Sequence, residues 1–278
     1  MLIRIDHRTA YAYDEPARSL VQKLRLTPAG HAGQMIERWT IDIDCDAHLR
    51  ETSDAFGNIV HMLYVDRPVS AITLDVTGQV RTSSTDGIVQ GSFEPLPPGI
   101  YLRSTPLSTP DAAIIDFALG LGEEGAPLDR LHRLLGELHA RIRFDTGASL
   151  VDTTASEAFA AGGGVCQDLT HIYIAAARVM GFPARYVSGH LCRRDGVEQQ
   201  AMHAWAEVLV DDLGWVGFDP AHGISPDDAY VRVAVGLDYR DAAPVVGARQ
   251  GGRGERLTVG VAVRQSGHQM QAQSQTQS

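Results

Sequence analysis

The chain has 278 residues, 44% of them hydrophobic, enough for a large buried core and, at ordinary domain sizes, for about two domains. A formal charge of -10 with no clustered Lys/Arg surface argues against a nucleic-acid partner and disfavours acidic substrates. No apolar run reaches the length of a membrane span, and Met1 leads straight into Leu2-Ile3-Arg4-Ile5 instead of a secretory leader, so the expected location is the cytoplasm with no membrane partner. The three cysteines, Cys45, Cys166 and Cys192, are odd in number and lack CxxC spacing, which predicts free thiols and neither a disulfide framework nor a zinc site.

Residues 1–82 read as a β-rich domain, a small antiparallel sandwich or sheet. Apolar positions alternate through Leu2–Ile5, Trp39–Cys45 and Ile72–Val80, and Phe56-Gly57-Asn58 marks a turn before the apolar run Ile59–Val65. Residues 83–109 change character, with Ser83-Ser84-Thr85-Asp86-Gly87 followed by Pro95, Pro97, Pro98 and Pro106, and read as a linker. The second domain spans 110–264. Thr109 as N-cap and Pro110 in the first turn open a short helix through Leu119. Leu128, Leu131, Leu134, Leu135 and Leu138 keep helical spacing and predict a helix from Pro127 to Arg141. Thr154 and Glu157 form the capping box of a third helix, ended by Gly162-Gly163-Gly164. A fourth begins near Cys166, buries Leu169, Ile172, Tyr173, Ala176 and Val179, and stops at Gly181 and Pro183. Strand-like runs follow at Ala184–Leu191, His203–Val210 and Trp215–Phe218, so helices precede an antiparallel sheet and the class is α+β. A last strand, Arg256–Arg264, returns either to this sheet or to the first domain. The Gln/Ser-rich tail 265–278 is expected to be disordered.

The chemistry centres on Gly162-Gly163-Gly164-Val165-Cys166-Gln167-Asp168. A cysteine at a helix start meets unsatisfied N–H groups and the positive end of the helix dipole, both of which favour thiolate over thiol. Small residues before it let a substrate backbone approach, and the Cys166 amide N–H is placed to steady an oxyanion. His203 lies on an alternating strand with Trp205 and Glu207 on its face, and Asp219 ends the next strand before Pro220. If Val210 pairs with Gly214 around a short loop, Trp205 falls opposite Asp219, and His203 becomes its diagonal neighbour on the same face. A loop one residue longer would separate them. Glu207 by default reads as an exposed strand carboxylate, and His190, despite Cys192 nearby, as a solvated strand end without metal-ligand spacing.

Four motifs occur in order: Gly-Val-Cys-Gln-Asp at 164–168, Gly-Phe-Pro-Ala-Arg-Tyr-Val-Ser-Gly-His at 181–190, His-Ala-Trp-Ala-Glu-Val at 203–208 and Gly-Trp-Val-Gly-Phe-Asp-Pro at 214–220. Together they resemble the bacterial transglutaminase-like family. Leu24-Arg25-Leu26-Thr27-Pro28 and Phe56-Gly57-Asn58 resemble its N-terminal region, and Asp238-Tyr239-Arg240-Asp241-Ala242-Ala243-Pro244 its C-terminal signature. The resemblance implies a papain-like transglutaminase core behind a β-sandwich-like N-terminal domain, with Cys166, His203 and Asp219 as nucleophile, base and orienter. It implies a cysteine peptidase or amidase that cleaves peptide or side-chain amides of a peptide or protein substrate through a thioester, with no cofactor and no metal. An amine acceptor would instead make it a transglutaminase, and loss of chemistry would leave a binding scaffold. The chain departs from the family's usual pattern at Ala221-His222, where Thr-Asn is common, and at His190, where tyrosine is common. His222 could compete with His203 for Asp219.

Overall fold

The computed structural model describes residues 1–145, 150–193 and 202–266. The predicted tail falls outside it beyond Ser266, apart from Gln265, which closes the last strand. Strand β1 (Leu2–Thr27) runs for 26 residues and is the axis of the first domain. It is followed by β2 (Gln34–Ile43), β3 (His48–Ser53), β4 (Ile59–Val65) and β5 (Val69–Thr82). These strands form one sheet in the order β2-β5-β1-β4-β3. The pairing of β1 with β5 shifts register between Ala12 and Ala17, across Asp14-Glu15-Pro16, where a proline costs no ladder bond. That break hides the continuity of β1 from sequence periodicity. The apolar positions of this sheet, among them Leu20, Leu24, Leu63, Ile72 and Leu74, are fully or almost fully buried.

Residues 83–109, expected as a linker, run along the second domain. Strand β6 (Ile88–Val89) adds an edge to the second sheet, and a 3-10 turn at Pro98–Leu102 buries Tyr101 against Trp215, edge to face at 4.9 Å. Helix α1 (Ala112–Gly120) starts two residues later than Thr109-Pro110 suggested. Asp111 is its N-cap, accepting from the Ile114 N–H at 3.0 Å, whereas the Thr109 hydroxyl donates to the Thr105 carbonyl. Helix α2 (Pro127–Arg141) buries the predicted leucines Leu131, Leu134, Leu135 and Leu138. After β7 (Arg143–Phe144), helix α3 (Ala155–Ala161) carries the predicted capping box of Thr154 and Glu157 and ends at Gly162 with φ 66°. Strand β8 (Gly163–Gly164) pairs in parallel with β7.

Helix α4 (Cys166–Val179) is the core of the second domain, with every residue from Asp168 to Arg178 buried. It packs on β9 (Ala184–Leu191) and β10 (His203–Val210). With β11 (Gly214–Phe218) and β12 (Tyr230–Gly236) these make a five-stranded antiparallel sheet, β12-β9-β10-β11-β6. Short helix α5 (Tyr239–Ala242) then leads to β13 (Val245–Gly251) and β14 (Arg256–Gln265). Both final strands pair with β1, so the last strand belongs to the first sheet. Its residues 256–265 run antiparallel to residues 3–12, while β13 lies against 17–24. The two sheets share an apolar seam of Ile3, Ile5 and Val80 with Val187, Trp205, Val231 and Val235. Among the described residues no helix is long and apolar enough to cross a membrane.

Candidate active site

Cys166 is the first residue of α4 and is partly exposed. Its position is fixed from behind. The Asp168 side chain, fully buried, turns back to accept from the Val165 N–H at 2.8 Å. A Cβ on Gly164 would stand 2.7 Å from that carboxylate oxygen, so only glycine lets Asp168 reach its place. Two of the glycines serve the helix start: Gly162 ends α3 in the left-handed region, and Gly164 makes room for the cap. The Thr170 hydroxyl donates to the Cys166 carbonyl at 2.7 Å and ties down the first turn.

The hairpin register is the one the sequence predicts. Val210 pairs with Gly214 and Ala206 with Phe218, which puts Asp219 opposite Trp205 and on the face of His203. His203 Nε2 donates to Asp219 Oδ2 at 2.7 Å, with Asp219 fully buried. Asp219 engages Nε2 and not Nδ1, and Cys166 lines the same cavity as the His203 ring. Burial works against a charged imidazole here, but Asp219 and then Cys166 outweigh it and raise the His203 pKa. Burial likewise opposes the charge on Asp219, yet His203 and His222 hold its carboxyl well below the usual range.

Asp219 serves more than one ring. Oδ2 also accepts from His222 Nδ1 at 2.7 Å and from the Tyr230 hydroxyl at 2.7 Å. Oδ1 accepts from the backbone N–H groups of Ala221 at 3.0 Å and His222 at 3.3 Å. His222 thus shares the carboxylate with His203 without displacing it. Tyr230 was not legible as a site residue, because nothing in the sequence marks β12 as the neighbour of Asp219. The ligand-capable atoms of His203, Asp219 and His222 lie within 4.8 Å of one another. A zinc ion bonded to them at about 2.0–2.2 Å would have to replace the hydrogen bonds that now hold both rings.

Two sequence expectations are corrected. Glu207 is not an exposed carboxylate: it is fully buried and accepts from Arg185 Nε at 2.7 Å and Arg232 Nε at 2.9 Å. Burial disfavours its charge, but the two arginines bring its pKa down to about 2. Arg185, itself fully buried, also holds Glu94 and lies 3.8 Å over the Trp215 ring. His190 is not a solvated strand end either. It is 1% exposed, packs edge to face on His7 at 5.9 Å, and burial lowers its pKa to about 3.

The sequence matches the bacterial transglutaminase-like N-terminal region over residues 3–81 and the transglutaminase-like superfamily core over residues 115–220. Residues 115–220 belong to the transglutaminase-like superfamily. Within the transglutaminase-like core, 115–220, lie all three of Cys166, His203 and Asp219. An uncharacterized protein of Mycobacterium tuberculosis is 29% identical over 283 residues, covering 88% of this chain and 86% of that protein. One from Mycobacterium leprae is 26% identical over 268 residues, covering 90% and 93%. A crystal structure of a candidate cysteine protease from Cytophaga hutchinsonii shares the transglutaminase-like fold across both domains. Its TM-score is 0.76 at 16% identity, covering 97% of this chain and 92% of that one.

Proposed function

We propose that this transglutaminase-like protein is a cysteine-dependent amidase or peptidase. One observation carries the reading: a partly exposed cysteine at a helix start shares a cavity with a histidine whose far nitrogen is bound to a buried aspartate at 2.7 Å. His203 takes the thiol proton as the sulfur attacks. Cys166 Sγ attacks the amide carbonyl, and the oxyanion is received by the Cys166 N–H in a first turn whose N–H groups lack intrahelical partners. As the C–N bond breaks, His203 protonates the leaving amine through Nδ1, and an acyl thioester remains. Water then attacks the thioester carbonyl, giving one proton to His203. The C–S bond breaks, the carboxylic acid leaves, and His203 returns the proton to sulfur. Asp219 holds the imidazole with Nε2 protonated throughout.

Water is the acceptor in this reading because no described feature of the site binds an amine. A well-bound amine would win through proximity alone. The test incubates the full chain with peptide amides and increasing primary amine and weighs the products. Free carboxylate with release of the amine or ammonia agrees with a hydrolase; saturable amine adduct at the expense of carboxylate would make the protein an acyltransferase. Absence of any acyl adduct on Cys166, together with alkylation by iodoacetamide no faster than at Cys45 and Cys192, would leave a scaffold.

A further inference from the structure

The cavity at Cys166 measures about 330 Å³, at the small end of ligand pockets, which span about 300–1,000 Å³. It is sized for one or two side chains, not for a folded partner. Its lining is drawn from both domains: Cys166, Met202 and His203 from the core, and Tyr11 of β1 with Leu257 and Val259 of β14 from the first sheet. Leu257 is 51% exposed, so this wall presents open apolar surface.

The charge of the lining is as informative as its shape. No Asp, Glu, Lys or Arg among the described residues lines this cavity. Its titratable members outside the Cys166–His203 pair are uncharged at neutral pH. His7 in the lining is 4% exposed, and burial lowers its pKa to about 4. Burial, with Glu255 adding to it, pushes Tyr11 up to about 12, and burial raises Tyr186 and Tyr239 as well. Outside the Cys166–His203 pair, a charged side chain entering here would lose water and find no counter-charge among the described lining residues, while an aliphatic or aromatic one would gain apolar contact.

We propose that this pocket selects substrates carrying a bulky uncharged side chain, aliphatic or aromatic, on the acyl side of the cleaved amide, and that β1 and β14 supply the selecting wall. The proposal rests on Cys166 being the nucleophile only for where the amide sits; the pocket itself is tested without chemistry. It gives the β-rich first domain a part in choosing substrate, which the core motifs alone do not show.

The experiment has two arms on the full chain. In the first, acetyl-X-Gly and acetyl-Gly-X chloromethyl ketones, with X leucine, phenylalanine, aspartate or lysine, compete for Cys166, with iodoacetamide as the side-chain-free reference. In the second, the corresponding unreactive peptide amides are titrated calorimetrically into the Cys166→Ala chain. Leucine and phenylalanine should exceed aspartate and lysine by about tenfold or more at one of the two positions in both arms. Leu257→Asp, at a half-exposed site that tolerates a carboxylate, should cut the leucine-to-lysine ratio by about tenfold. That ratio is internal to one variant, so partial loss of fold does not mimic it. Equal binding of all four amides, or a ratio untouched by Leu257→Asp, would overturn the pocket. Selective binding in the calorimeter with no ketone reacting at Cys166 would keep the pocket and overturn the nucleophile.

Discussion

Asp219→Asn is the sharpest perturbation of the site, because it changes charge and donor pattern while leaving shape almost untouched. Oδ1 takes two backbone N–H groups and Oδ2 takes His203, His222 and Tyr230, so the wild-type group is an acceptor for five donors. In the asparagine the carbonyl oxygen stays with the backbone pair, and the NH2 faces three former donors. His203 must then present a bare Nε2 to it, which moves the ring proton to Nδ1, on the Cys166 side. Loss of charge assistance in that one hydrogen bond costs about 1–2 kcal/mol, roughly tenfold in rate. The inverted tautomer also removes the lone pair that must accept the thiol proton, so turnover should fall by about 10³–10⁴. Apparent substrate affinity should change far less. Iodoacetamide alkylation of Cys166, followed by mass across pH, reads the effect without a known substrate: the rate at pH 7 should drop by about tenfold or more. Alkylation by the asparagine variant at the wild-type rate and with the wild-type pH profile would refute the role given to Asp219.

Three further outcomes follow from named contacts. The same substitution also probes pH: Asp219, lowered below its ordinary 3.8, contributes stability above that value and loses it in acid, and His203, raised above 6.5, contributes below that value and loses it in alkali. The stability gap between wild type and Asp219→Asn, from urea melts, should therefore be widest between 3.8 and 6.5 and close on both sides. Glu207→Gln leaves Arg185 and Arg232 facing a neutral amide in a dry setting and should destabilise by about 3–5 kcal/mol, a drop in Tm on the order of 10 °C; a shift under about 2 °C would mean the carboxylate is exposed after all. Gly164→Ala displaces Asp168 from its cap and should cost about 1–2 kcal/mol while slowing Cys166 alkylation, and a variant with wild-type alkylation would show that the cap does not position the thiol.

Much of the fold around the candidate site was legible because its determinants are local. Thr154 with Glu157 announces α3, the leucine spacing announces α2, and the loop between Val210 and Gly214 fixes which face Asp219 shares with His203. What stayed hidden depends on partners distant along the chain. Glu207 looks like any strand carboxylate until Arg185 and Arg232 are brought beside it from β9 and β12. Tyr230 gains its role only from the sheet order that sets β12 near Asp219, and the 26-residue course of β1 is masked by the Asp14-Glu15-Pro16 break that its own bulge absorbs. Thr109-Pro110 misdirected the start of α1 because Asp111, two residues on, competes for the same capping bond and wins it.

The pairing of β14 with residues 3–12 of β1 has a consequence for how the molecule comes into being. During synthesis residues 3–12 emerge long before residues 256–265, and until these follow, one edge of that stretch of β1 stays bare. Contacts spanning nearly the whole sequence make for slow assembly and a long exposure of an unpaired edge. The cavity wall built from Leu257 and Val259 is likewise absent until that last strand docks. The enclosure around Cys166 and His203 is thus completed by the strand that docks last.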